Sequence, residues 1–236
     1  MYSKEFYIES SDVDSSLDLK LSSLMRMMQD VATEHAEKLK LGKKETIDVG
    51  KYWVISRYSI SIEQMPKYTD TIKISTYPGE DNKFIYPRNF FVENKKGEKI
   101  IKASSLWLVL SKDSHRPILN PFPNTILKPE QYKDEEPRPN KIEAKNAYFL
   151  EERKVRYSDI DLNGHLNNTK YIEYVMDLRD SGYYKEHEIK KITINYEKEL
   201  MDGQSIKLYS SGTNPEYIVG KRDEENIFEI NIEYRS

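Results

Sequence analysis

Cysteine is absent from this 236-residue chain. That excludes disulfides, thiolate nucleophiles and cysteine-based zinc sites together, and it fits a reducing compartment. Histidine is scarce, at His35, His115, His165 and His187, so no histidine-rich metal cluster is available. No apolar run approaches the roughly 18 residues that a membrane-spanning helix needs, and the opening MYSKEFYIES lacks the apolar core of a signal peptide. Charged residues are plentiful at 33%, yet they nearly cancel to a net −3, which leaves no global field favouring nucleic acid. A G-x-S-x-G elbow, a glycine-rich phosphate loop and an H-E-x-x-H motif are also missing. Serine-hydrolase, nucleotide-binding and zincin readings fall with them. The expectation is a soluble cytoplasmic protein, monomer or homodimer, that needs no metal or cofactor and binds neither nucleic acid nor membrane.

What is present points to β-structure: 18 tyrosines and many Ile and Val residues in alternating runs. The length suits one large domain or two of about 100–120 residues, and an internal repeat selects two. SDVDSSLDLKLSSLMRMMQD (11–30) aligns without a gap over SDIDLNGHLNNTKYIEYVMD (158–177), pairing Ser11, Asp12, Asp14, Leu19 and Asp30 with identical residues. TIKIS (71–75) then falls over SIKLY (205–209). Each copy reads as a short strand (4–10; 147–158), a helix, and four strands. The first helix shows an apolar stripe at Leu21, Leu24, Met25, Met28, Ala32, His35 and Leu39, with Gly42 as its stop. The second spans about 168–180, capped by Asn or Thr and ended by Ser181-Gly182. Strands follow at 52–63, 70–77, 83–94 and 98–111, and again at 190–200, 204–212, 216–222 and 226–234. The pattern implies an α+β chain in which, twice over, an antiparallel sheet wraps around a central helix. The first domain covers 1–127, a proline- and charge-rich linker 128–146, and the second domain 147–236.

The segment DIDLNGHLNN (159–168) admits two chemistries. Asp159, Asp161, Asn163 and Gly164 sit where an EF-hand calcium loop has them, but the closing carboxylate at the twelfth position is replaced by Lys170. Alternatively, Asp161, Asn163 and His165 alternate, and in an extended backbone they would point one way, just before a helix N-terminus. Acid, amide and imidazole there could activate water and stabilise an oxyanion. The plain alternative is a helix-entry loop whose side chains cap backbone groups. Histidine is the only side-chain type whose unperturbed pKa lies near neutrality, which suits His165 to carry protons.

D-x-N-x-H-x-x-N followed by a helix, as DLNGHLNNTKYIEYVMD (161–177), resembles the acyl-acyl-carrier-protein thioesterases of bacteria and plant plastids. YWVISRY (52–58), RNFFVENKKGEKIIKASSLWLVLSK (88–112) and HRP (115–117) agree with it, so the likeness spans nearly the whole chain. The resemblance implies two tandem hotdog folds and hydrolysis of fatty acyl thioesters of acyl carrier protein, a step that ends fatty acid synthesis. It places the catalytic Asp, Asn and His on Asp161, Asn163 and His165, and a catalytic Glu on Glu199. Plant members carry a Cys after that Glu; here it is Leu200, so no thiol takes part. The first hotdog would house the acyl tail, with Met25 and Met28 as substrate-binding candidates beside their ordinary reading as core filling. Asp161 either attacks directly, forming an anhydride, or orients other groups while Glu199 or His165 activates water.

The first copy is an internal control: Ser16 stands for Asn163, Asp18 for His165 and Met65 for Glu199. One active site per chain is the expectation. An acidic carrier protein would dock on a basic patch, with Lys141, Lys145, Arg153, Lys154 and Arg156 as candidates. The alternatives are a hotdog acyl-CoA thioesterase, a non-catalytic acyl-binding module and a calcium-binding module.

Overall fold

The computed structural model describes residues 1–125, 129, 132, 135–143 and 145–235. It divides into two compact units, Met1–Pro139 and Asn140–Ser236. The first unit holds β1 (Tyr2–Tyr7), α1 (Leu21–Lys38), β2 (Lys51–Ile62), β3 (Thr71–Pro78), β4 (Tyr86–Glu93) and β5 (Lys99–Ser111). The second holds β6 (Tyr148–Lys154), α2 (Asn168–Met176), α3 (Ser181–Glu186), β7 (Ile189–Tyr196), β8 (Ser205–Ser211), β9 (Glu216–Arg222) and β10 (Glu225–Tyr234).

Within the first unit the strands lie in the order β1-β3-β4-β5-β2, and within the second β6-β8-β9-β10-β7. Every neighbouring pair is antiparallel. Replacing each strand of the first order by the one five places later gives the second, so the repeat read from the sequence is a repeat of topology.

The agreement extends to single hydrogen bonds. Leu19 N–H donates to Pro66 O at 2.8 Å, and Leu166 N–H to Leu200 O at 2.7 Å. Just past β2, Glu63 and Gln64 both donate to Ile100 O; just past β7, Glu197 and Lys198 both donate to Ile227 O. Those bonds fix the register 65/199 and confirm Met65 as the structural counterpart of Glu199.

Helix α1 forms because its apolar stripe meets the sheet. Leu24, Met25, Met28 and Val31 are buried, and the Tyr58 hydroxyl of β2 reaches the Met28 sulfur at 3.5 Å. His35, on the same stripe, is buried against Arg88 of β4 (3.1 Å) and stacks on Tyr2. Burying each such apolar side chain stabilises the fold by about 1.5–3 kcal/mol. The helix ends at Lys38, and the chain turns at Lys40 with a positive φ of 58°, before Gly42 is reached.

In the second unit α2 is half the length of α1, nine residues against eighteen. Its stripe, Tyr171, Ile172 and Val175, is buried, and Tyr171 meets the rings of Tyr196 on β7 and Phe228 on β10. Gly220 of β9 makes that packing possible: a Cβ there would lie 2.1 Å from the Phe228 ring. Ser181-Gly182 does not end the helix but opens α3, because Asp180 caps it by accepting from Tyr183 N–H at 2.9 Å.

Part of the expected linker, 128, 130, 131, 133, 134 and 144, lies outside the described residues, as do 126 and 127 just before it. A few of its described residues are packed, although most are exposed. Glu136 is buried and accepts from Ser59 at 2.7 Å in the first unit, and Ile142 is buried against Tyr217 and Val219 in the second.

Candidate active site

The loop 160–167 is a closed turn, not the extended run that the alternation of Asp161, Asn163 and His165 implied. Ile160 bridges Leu166, Asp161 N–H donates to His165 O at 2.8 Å, and Gly164 N–H to Asp161 O at 3.1 Å. Gly164 sits at φ +86°, a left-handed conformation that glycine adopts without strain. Inside the turn the Asp161 carboxylate accepts the N–H groups of Asn163 (2.8 Å) and His165 (3.2 Å). The helix then starts on the Asn167 cap, whose side chain accepts from Thr169 N–H at 2.9 Å.

A second segment closes on this loop. β7 stops at Tyr196, short of the expected end at residue 200, so Glu197 and Glu199 do not share a strand face. The chain beyond runs beside the loop, tied by the Leu166–Leu200 bond and a bridge between His165 and Met201. That pairing brings Glu199 Oε2 to 3.2 Å from His165 Nε2. His165 is 8% exposed, whereas the Glu199 side chain is 33% exposed. A nearly dry imidazole thus holds a carboxylate that still meets solvent. The geometry suits proton transfer to a molecule arriving from outside.

Of the four residues singled out, the structure joins His165 to Glu199 and turns Asp161 inward onto the loop backbone. Asn163 is exposed; its backbone N–H serves the turn and its side chain faces solvent. Met25 and Met28, at 2% and 0% exposure, lie in the interior of the first unit.

Tyr171 is a group that the sequence reading did not single out. It is 3% exposed on α2, and its phenol is pushed above the ordinary tyrosine range by burial, then by the charge of Glu199, with Asp161 adding to it. Tyr171 therefore stays a neutral O–H donor that feels both carboxylate charges. Its counterpart in the first copy is Leu24, and that polar-for-apolar exchange on a helix stripe was the available signal.

The first unit keeps the loop but not the histidine or the glutamate. Val13 bridges Leu19 as Ile160 bridges Leu166, but at the His165 position Asp18 forms an ion pair with Lys67 at 2.6 Å. The pair is largely exposed, so it adds at most about 1 kcal/mol.

The calcium alternative loses its ligands. Asp159 Oδ2 accepts from Arg156 N–H at 2.9 Å and from the Tyr174 hydroxyl at 2.8 Å, and the Lys170 ammonium stands 4.0 Å from Oδ1. Calorimetry with millimolar calcium is expected to show no binding heat; a site tighter than about 10⁻⁴ M would contradict this. Among the basic residues considered for docking, Arg153 is already held by Glu151 and Asp177.

Comparison with known proteins adds the family. The N-terminal domain of acyl-ACP thioesterases matches residues 1–121, and the C-terminal domain of the same family matches 142–236. The chloroplastic oleoyl-acyl carrier protein thioesterase 2 of Arabidopsis thaliana is 23% identical over 239 residues, covering 93% of this chain and 65% of that protein. The chloroplastic dodecanoyl-[acyl-carrier-protein] hydrolase of Cinnamomum camphora is 25% identical, covering 91% and 61%. The chain thus spans less than two thirds of the length of these relatives. Among solved structures, an acyl-ACP thioesterase from Bacteroides thetaiotaomicron superposes with a TM-score of 0.88 at 24% identity, covering 99% of this chain and 97% of that one. The 12:0-ACP thioesterase of Umbellularia californica gives 0.84 at 22% identity, covering 99% and 96%. At that identity the superpositions speak for the fold, two hotdogs in tandem.

Proposed function

The chain belongs to the acyl-ACP thioesterase family, and on that premise we propose that it hydrolyses fatty acyl thioesters of acyl carrier protein to free fatty acid and carrier. The observation that carries this reading is the His165–Glu199 pair at 3.2 Å, present in the second unit and replaced by Asp18 and Met65 in the first.

A thioester carbonyl needs a nucleophile, a proton carrier and donors for its developing oxyanion. With no cysteine and no serine elbow, the nucleophile is water or a carboxylate. Imidazole and carboxylate together take a proton from the attacking group and return it to the departing sulfur. The exposed Asn163 amide is free to hold the carbonyl oxygen. No metal or cofactor is invoked. The reaction belongs to a reducing, cytoplasmic setting, which a chain without cysteine tolerates.

A panel of acyl-carrier-protein and acyl-CoA thioesters, with free fatty acid measured by chain length, tests the reading. Faster release from carrier protein than from CoA supports it. Turnover of CoA esters alone would move the protein to the acyl-CoA thioesterases.

Chain-length preference we place in the first unit, on the α1 face that carries Met25 and Met28. Met25→Trp and Met28→Trp are expected to shift products toward shorter acids while a melting curve stays cooperative. Overpacking a closed core costs about 1–3 kcal/mol. A loss of stability of that size with no change in products would make both residues core filling only.

A further inference from the structure

The duplicated loop separates what the fold requires from what the reaction requires. In the second unit Asp161 Oδ1 accepts from the N–H of the residue two ahead (2.8 Å) and four ahead (3.2 Å). In the first unit Asp14 Oδ1 accepts from Ser16 N–H at 2.8 Å and Asp18 N–H at 3.2 Å. The backbone bonds repeat as well: Asp14 N–H donates to Asp18 O at 2.9 Å, and Leu17 N–H to Asp14 O at 3.1 Å, as Asp161 and Gly164 do. Even the left-handed position recurs, at Leu17 (φ 65°) and Gly164 (φ 86°). The first unit has neither the histidine nor the glutamate, so a reaction cannot be what keeps an aspartate there.

We infer that Asp161 is a positioning residue that holds the loop presenting His165, and that the attacking nucleophile is water. The inference rests on the proposed thioester hydrolysis. Direct attack by Asp161 would discharge its carboxylate into an anhydride. Both N–H bonds would weaken, because hydrogen bonds to a charged acceptor are the stronger kind. The loop would be held less tightly, by a neutral oxygen, at the step when His165 has to be in place. With water as nucleophile the loop stays charged and closed. The water oxygen bonds to the thioester carbon, and its proton passes to the His165–Glu199 pair. The carbon–sulfur bond then breaks, and the pair protonates the departing sulfur. The products are a fatty acid and a free thiol.

The discriminating variant is Asp161→Asn. A carboxamide oxygen still accepts both N–H groups but forms no anhydride. It is expected to keep kcat within about tenfold of the parent, whereas Asp161→Ala loses roughly 10²-fold or more. Amide exchange tests the loop apart from turnover: the Asn163 and His165 N–H groups should stay protected in the parent, exchange somewhat faster in Asp161→Asn, whose neutral oxygen still accepts both, and lose protection in Asp161→Ala. A single turnover of the parent in ¹⁸O water should put label in the fatty acid and none in the Asp161 peptide. A folded Asp161→Asn as inactive as Asp161→Ala, label in Asp161, or equal protection in all three proteins would overturn the inference. Absence of any hydrolysis by the parent would instead strike the proposed function, while the exchange result would still decide the loop's role.

Discussion

His165→Ala is expected to lose roughly 10²-fold or more in kcat while melting close to the parent, the usual scale for removing a general acid–base group. The imidazole meets the carboxylate of Glu199, 3.2 Å away across the paired segment. Its removal leaves Glu199 one-third exposed, so water can solvate the carboxylate and the cost in stability stays near 1 kcal/mol. The backbone bonds that close the loop, Asp161 N–H to His165 O and Leu166 N–H to Leu200 O, do not involve the lost side chain. Asn163→Ala should also lose roughly 10²-fold, the scale of an oxyanion donor. It keeps the backbone N–H on which the turn relies, so a fall in kcat there reads the side chain alone. Circular dichroism and steady-state kinetics on the three proteins check both expectations. Parental turnover by His165→Ala would end the assignment.

Glu199→Ala should fall by a similar factor, and Glu197→Ala should not. Two residues apart, both carboxylates look alike in the sequence, and the expected strand 190–200 would have put them on one face. The structure parts them. Glu197 is exposed at the end of β7, where its N–H is used by Ile227 O, and a substitution there should move stability by no more than about 0.5 kcal/mol. Glu199 faces His165 because the following residue, Leu200, is fully buried and bonded to Leu166. Glu199→Gln removes the charge and keeps the shape. If it turns over like the parent, the carboxylate orients the imidazole through a hydrogen bond alone; if it falls with Glu199→Ala, the charge takes part in the proton transfer. Equal losses in Glu197→Ala and Glu199→Ala would contradict the geometry.

Much of this was legible in the sequence because duplication writes itself twice. The repeat of strand–helix–strands, an asparagine cap on the second helix and the pairing of Met65 with Glu199 were all within reach once the two copies were laid side by side. Local pattern failed where a long-range contact decides. Asp161, Asn163 and His165 alternate like a strand, yet the Asp161 side chain draws the backbone into a turn. NYEKEL continues the alternation of β7, yet two successive N–H groups converge on Ile227 O and end the strand. Ser181-Gly182 reads as a stop, but Asp180 makes it a start. Tyr171 went unremarked in the sequence, and the rise in its pKa through burial and the charges of Glu199 and Asp161 emerges only from the fold.

One measurement bears most directly on the claim of a single thioesterase site in the second unit. Because the chain has no cysteine, a thiol reagent reports only the carrier's sulfur as it is freed, with no background from the enzyme. Thiol release from acyl carrier protein esters is to be followed for the parent, His165→Ala and Asp18→Ala side by side. The expected result is steady release by the parent, near-parental release by Asp18→Ala, and release lowered roughly 10²-fold or more by His165→Ala. No release by the parent from any acyl length, or equal release by the parent and His165→Ala, would contradict it.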